Sequence, residues 1–141
     1  MVSIKDTFLY DEVQKEFNYS FGHFYVFDGF VVSEINQGVC FTWEGKGERF
    51  VKDFSMYAEI FDFKDYTYIS NRIYEYSVVP SDWLKFIKDY SIKSYCIVSE
   101  AKASKLSLLV ESLFYPDKIK RFHSTYTALN WVKNELKGVE A

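Results

Sequence analysis

Asp28-Gly29 stands between two apolar runs, Asn18-Tyr-Ser-Phe-Gly-His-Phe-Tyr-Val-Phe27 and Phe30-Val-Val-Ser-Glu-Ile-Asn36. A two-residue Asp-Gly connection is the strongest short-range hairpin signal, because both turn positions take positive φ. It predicts two antiparallel neighbouring strands. Beyond it the chain alternates between helical periodicity and short apolar runs. A hairpin followed by strand–helix alternation leads to βαβ units, and their right-handed crossovers lay helices on a mostly parallel sheet.

The elements follow in order. Phe50, Phe54, Tyr57, Ala58 and Phe61 recur at helical spacing from Glu48, with Arg49, Lys52, Asp53 and Glu59 off that face. Thr42 is placed to cap this helix, with Trp43 on its first turn, although Gly45 and Gly47 weaken that turn. Tyr66–Ser70 reads as a five-residue strand. Pro80 suits the first position of a helix that runs through Leu84 and Ile87 to about Asp89. Ser94–Ser99 is the next strand, and Ser99 caps a helix with the stripe Ala103, Leu106, Val110 and Leu113, ended by Pro116. Ile119–His123 is a last strand. Ser124 caps a closing helix with Ala128, Leu129, Val132 and Leu136 on one face and Gly138 as its stop. Residues 1–16 read as a loosely ordered lead-in, with a short strand at Thr7–Tyr10. The expectation is one α/β domain over residues 1–141, a mixed, mostly parallel sheet covered by about four helices.

The totals exclude several classes. Apolar content of 48%, charged content of 26% and a net charge of −3 argue against disorder and against a nucleic-acid partner, which needs a basic face. Aromatic content of 21% is high, so some Tyr must reach the surface, where it suits an interface or a ligand site. Cys40 and Cys96 are too isolated for a zinc site, and Cys96 lies in an apolar run as a small buried hydrophobe. The opening MVSIKDTFLYDEV lacks a basic end followed by an apolar run, so no signal peptide is expected. No window reaches the ~20 apolar residues of a membrane span. A cytoplasmic protein is expected, with no metal and no cofactor.

The hairpin FYVFDGFVVSEIN, the strand and loop YTYISNRIYEYSVVP, the strand SYCIVS and the closing ALNWV helix together resemble the STAS domain superfamily (sulphate transporter and anti-sigma-factor antagonist). The resemblance is to its small bacterial SpoIIAA-like branch, related in layout to CRAL-TRIO-like folds. It runs from about Tyr19 to Leu136. It implies a non-enzymatic regulatory or protein-interaction module that acts through a protein partner or self-association, including a homodimer. The alternative it implies is a small anionic or lipid-like ligand. In anti-sigma-factor antagonists a Ser or Thr at the start of the helix after the third strand is phosphorylated. Ser77 and Ser81 hold that place here. Neither lies in the family's Asp-Ser-Ser/Thr-Gly run, a departure from its pattern.

In an open α/β sheet the ligand crevice lies beyond the carboxyl ends of the parallel strands. That edge gathers Asn36 and Gln37, then Ser70, Asn71 and Arg72, then Ser99 and Glu100, then Ser124 and Thr125. Helix starts there favour an anion, and Arg72 adds a fork of donors. The plainer reading makes the serines caps and turns, and Arg72 a loop salt-bridge residue. Tyr66 and Tyr68 share one strand face and pack under a helix, while Tyr74 and Tyr76 in the loop are freer to line a contact surface. The candidate ligand or partner set is therefore Asn36, Ser70, Asn71, Arg72, Tyr74, Tyr76, Ser77 and Ser99. His23 and His123 lack neighbours at metal spacing and read as structural. No catalytic motif occurs.

Overall fold

Nearly continuous apolar runs, rather than strict alternation, mark strands buried on both faces. The computed structural model, which describes residues 2–60, 63–79, 81–82, 91–99 and 119–140, realises this as a six-stranded mixed sheet. Its strands are β1 (Lys15–Tyr19), β2 (Gly22–Phe27), β3 (Phe30–Ile35), β5 (Thr67–Asn71), β7 (Ser94–Val98) and β8 (Ile119–Phe122), side by side in that order. β1, β2 and β3 are antiparallel neighbours, and β3, β5, β7 and β8 run parallel. Two short strands, β4 (Cys40–Phe41) and β6 (Ser77–Val78), form a separate parallel pair. The described helices are α1 (Glu48–Ala58) and α2 (Thr125–Glu140).

The pleat sorts side chains to two cores. Phe24 and Val26 of β2, Val31 and Ile35 of β3, Tyr68 of β5, and Tyr95 and Ile97 of β7 point to one face, where Phe50, Val51 and Phe54 of α1 cover them. Tyr25, Phe27, Phe30, Val32, Ile69, Cys96 and Val98 point to the other, where Ala128, Leu129 and Val132 of α2 meet them. Ile4 and Leu9 complete that second core. Because both faces are covered, each apolar residue in a run has a core to enter, and the run need not alternate.

The Asp28-Gly29 hairpin is present, with Phe27 paired to Phe30. Only Gly29 takes positive φ (83°), so the turn differs from the doubly left-handed type expected. Ser124 caps α2 as expected, its Oγ accepting from Thr127 N–H at 3.2 Å.

Four expectations are corrected. The run Asn18–Phe27 is two strands with a turn at Ser20-Phe21, and β1 starts at Lys15. Gly22 allows this tight return, since a Cβ there would lie 2.7 Å from Glu34 O. Residues 4–12 are no loose lead-in and hold no strand at Thr7–Tyr10. They form two 3₁₀ turns, Ile4–Asp6 and Phe8–Glu12, pinned by the buried Ile4 and Leu9. α1 follows a kinked turn at Trp43–Gly47, broken at Glu44 and Gly45, and Thr42 makes no side-chain cap bond. Gly138 lies inside α2, because one glycine costs only about 1 kcal/mol and does not stop a helix alone. Of the helix expected from Pro80 to Asp89 only Ser81 and Asp82, both helical, are described, and the helix expected beyond Ser99 falls outside the described residues, as does Phe61.

Candidate functional site at the carboxyl edge of the sheet

The loops that leave β3 and β5 do not gape. Gly38 N–H donates to Glu75 O at 2.9 Å, and Ser77 N–H donates to Val39 O at 3.0 Å. Together with the β4–β6 pairing these bonds zip the two loops over the edge on the α1 face. Phe41 and Tyr76 pack from this zipper onto the core.

The period of two separates residues that the sequence reading grouped. Ser70 shares the face of Tyr68, whereas Asn71 shares the face of Ile69. On the first face Ser70 Oγ and the Tyr76 hydroxyl lie 2.5 Å apart, and the Arg72 guanidinium sits 4.7 Å above the Tyr76 ring. Arg72 is only 6% exposed, so its guanidinium is part of the packed structure. Tyr76 is likewise half-buried, not a free surface ring.

On the second face Asn71 is a hub. Its Nδ2 donates to Glu34 Oε2 and to Val2 O, both at 3.0 Å, and its Oδ1 lies 3.0 Å from Thr125 Oγ1. Glu34 is 5% exposed and also accepts from Ser3 Oγ at 2.7 Å and from Ile4 N–H at 2.8 Å. Glu34 and Ser3 were missed at the sequence level. The signal was an acid inside an otherwise apolar strand, which demands donors once both faces are covered.

The remaining candidates scatter. Asn36 Nδ2 donates to Ser20 O at 3.0 Å and its N–H to Phe21 O at 3.0 Å, which ties the β1–β2 turn to the end of β3. Tyr74 is 50% exposed. Ser77 and Ser81 are exposed, on β6 and just beyond it. Ser99 is half-buried, its N–H donating to Phe122 O at 3.1 Å, and the helix it was expected to cap lies outside the described residues.

Beside the zipper is an apolar cleft. Phe24, Phe41, Trp43, Phe50, Val51, Tyr68, Val78 and Val79 line it, with Thr42 and Asp82 as its polar members. Asp82 Oδ2 accepts from Trp43 N–H at 2.7 Å, which holds residue 82 against the kinked turn. The cavity volume is about 50 Å³.

The titratable groups nearby are held in structural roles. Burial pushes the Cys96 thiol up to about 12, with Lys120 opposing, so it stays a neutral hydrophobe. Burial also raises the Tyr25 hydroxyl, with the Glu34 charge adding to it and the Ser3 side chain opposing. His23 Nδ1 pairs with Asn18 Oδ1 at 2.6 Å across the β1–β2 ladder. Among the described residues no group of three or more His, Cys, Asp or Glu is placed to hold a metal. No described helix is long and apolar enough to cross a membrane.

Arg72→Ala tests the packed position directly. The variant loses a buried stem and a cation–π contact, so a fall in stability of about 2 kcal/mol is expected. Chemical denaturation measures it, and a change under ~0.5 kcal/mol would mean that the packed position of Arg72 adds little to stability.

Comparison with family models, with curated proteins and with solved structures gives no match to this chain.

Proposed function

We propose that this chain is a non-enzymatic regulatory or protein-interaction module of the STAS-like kind, and that it receives an apolar side chain of a protein partner in the cleft beside β4 and β6. The observation that carries this reading is the cleft itself. It is lined by aromatic and branched side chains, with a polar pair, Thr42 and Asp82, among the lining residues. Interface hot spots are built this way, with one anchor side chain in a small desolvated pocket and a polar rim around it.

Size favours a side chain over a lipid. The cavity of about 50 Å³ is a third of the ~150 Å³ that admits benzene, so it fits the tip of an aliphatic residue and not an acyl chain. The anionic-ligand reading loses support as well, since Arg72 is packed on Tyr76 and Asn71 is bonded to Glu34. Tyr74 adds an exposed ring on the loop that carries β6. Ser77 and Ser81 flank the lining residues Val78 and Val79, so a phosphate on either would add charge beside Asp82.

The test is capture of partners from the source cell with tagged protein, beside light scattering for self-association. A partner that is retained by the unaltered chain and lost with Val79→Asp supports the cleft. Ser77→Glu with unchanged partner binding removes the phosphorylation element alone. A strictly monomeric chain that captures nothing sinks the reading.

A further inference from the structure

Residues 2–4 make a set of contacts that chain connectivity does not require. Val2 O accepts from Asn71 Nδ2 at 3.0 Å and lies 3.1 Å from Thr125 Oγ1. Ser3 Oγ donates to Glu34 Oε1, and Ile4 N–H donates to Glu34 Oε2. The Ile4 side chain is 0% exposed and enters the core formed with α2. Two of these residues are thus held through main-chain atoms, by a carboxylate, an amide and a hydroxyl at the ends of β3 and β5 and the start of α2. That is how a peptide is gripped: side chains take its carbonyl and its N–H, and one apolar residue fills a slot.

The partners lie 30, 69 and 123 positions away in sequence. A segment of any origin with the same groups would make the same bonds. Within residues 5–12, Leu9 enters the same core and Tyr10 packs edge-on to Tyr25, while the outer contacts are lighter. Phe8 stacks on Tyr126 in the open, and Lys133 pairs with Glu12 at 3.0 Å on the surface, where such pairs contribute little. Val13 is extended and links the segment to β1.

We propose that Glu34, Asn71 and Thr125 form a peptide-recognition site that residues 2–4 occupy in cis. Its ligand is a peptide presenting a main-chain carbonyl, then a small hydroxyl side chain, then an aliphatic residue. The site lies on the opposite face of the sheet from the cleft and shares no residue with it, so either reading can fail without the other.

The tethered segment competes at an effective concentration of order millimolar, so an outside peptide gains when the tether's own groups are weakened. The probe is a fluorescein-labelled peptide of residues 2–13, titrated by anisotropy against the full chain. The double variant S3A/I4A should bind it at least ~10-fold more tightly than the unaltered chain, and Asn71→Ala on that background should cancel the gain. A folded S3A/I4A chain, judged by circular dichroism, that shows no gain overturns the proposal. Should that variant not fold, hydrogen exchange on the unaltered chain decides. An Ile4 amide exchanging at least ~100-fold faster than those of Ile69 and Cys96 shows the segment leaving while the sheet stays intact. Equal protection shows that it leaves only on global unfolding, and the proposal falls.

Discussion

Glu34→Ala should lower the stability of this chain by about 4 kcal/mol. The carboxylate is buried and receives Ser3 Oγ, Ile4 N–H and Asn71 Nδ2. Removing it strands three donors, and each buried donor left unmade costs about 1–3 kcal/mol. The loss is less than the plain sum because residues 2–4 can move away and recover water. Glu34→Gln should cost about half as much, since one oxygen remains while the new amide faces an existing donor. Urea denaturation with an unchanged slope measures both. A loss below about 1 kcal/mol for the alanine variant would mean that the second-face network is not closed in solution.

Phe24→Ala should cost about 4 kcal/mol through a different mechanism. Phe24 is fully buried, its ring stacked on Phe50 at 3.9 Å and edge-on to Tyr19, Phe21 and Phe41. Truncation opens a void between β2 and α1 that the surrounding rings fill only in part. Phe8→Ala is the matched control. Phe8 is exposed, so a change within ~0.5 kcal/mol is expected there from thermal melts. Equal losses at the two positions would contradict the placement of the α1-face core.

These two variants probe different levels of legibility. The α1-face core was readable, because Phe50 and Phe54 recur at helical spacing and the hairpin at Asp28-Gly29 sets β2 beside β3. Spacing and turn chemistry are local, so they survive without coordinates. The Glu34 network was not readable. Its members stand at positions 2–4, 34, 71 and 125, and nothing local says that they meet. The boundary between β1 and β2 was missed for a related reason. The turn at Ser20-Phe21 carries no Gly or Asn at its centre, and the close approach that Gly22 permits is to Glu34 and Ile35, on another strand.

Tyr66–Val79 shows the same division within one stretch. Its place at the carboxyl end of a central parallel strand follows from the order of elements. Which of its residues are available does not. Ser70 and Asn71 are adjacent in sequence, yet the pleat sends one under the zipper and the other to Glu34. Arg72 read as a fork of donors and Tyr76 as a freer loop ring, and which of them would pack on which was decided only in three dimensions, where the guanidinium lies over the ring.

From the sequence alone came the α/β class, the hairpin at Asp28-Gly29, the parallel strands after it, and the caps and stripes of α1 and α2 where they hold. These depend on periods of two and of 3.6, on turn residues and on capping residues, all short-range properties. Only the tertiary structure decided that residues 2–12 belong to the second core, that the loops after β3 and β5 zip shut, and that a cleft remains beside Trp43 and Val79. Those outcomes depend on groups distant in the chain finding complementary shape and hydrogen-bond partners, and no local pattern encodes which distant group will be there.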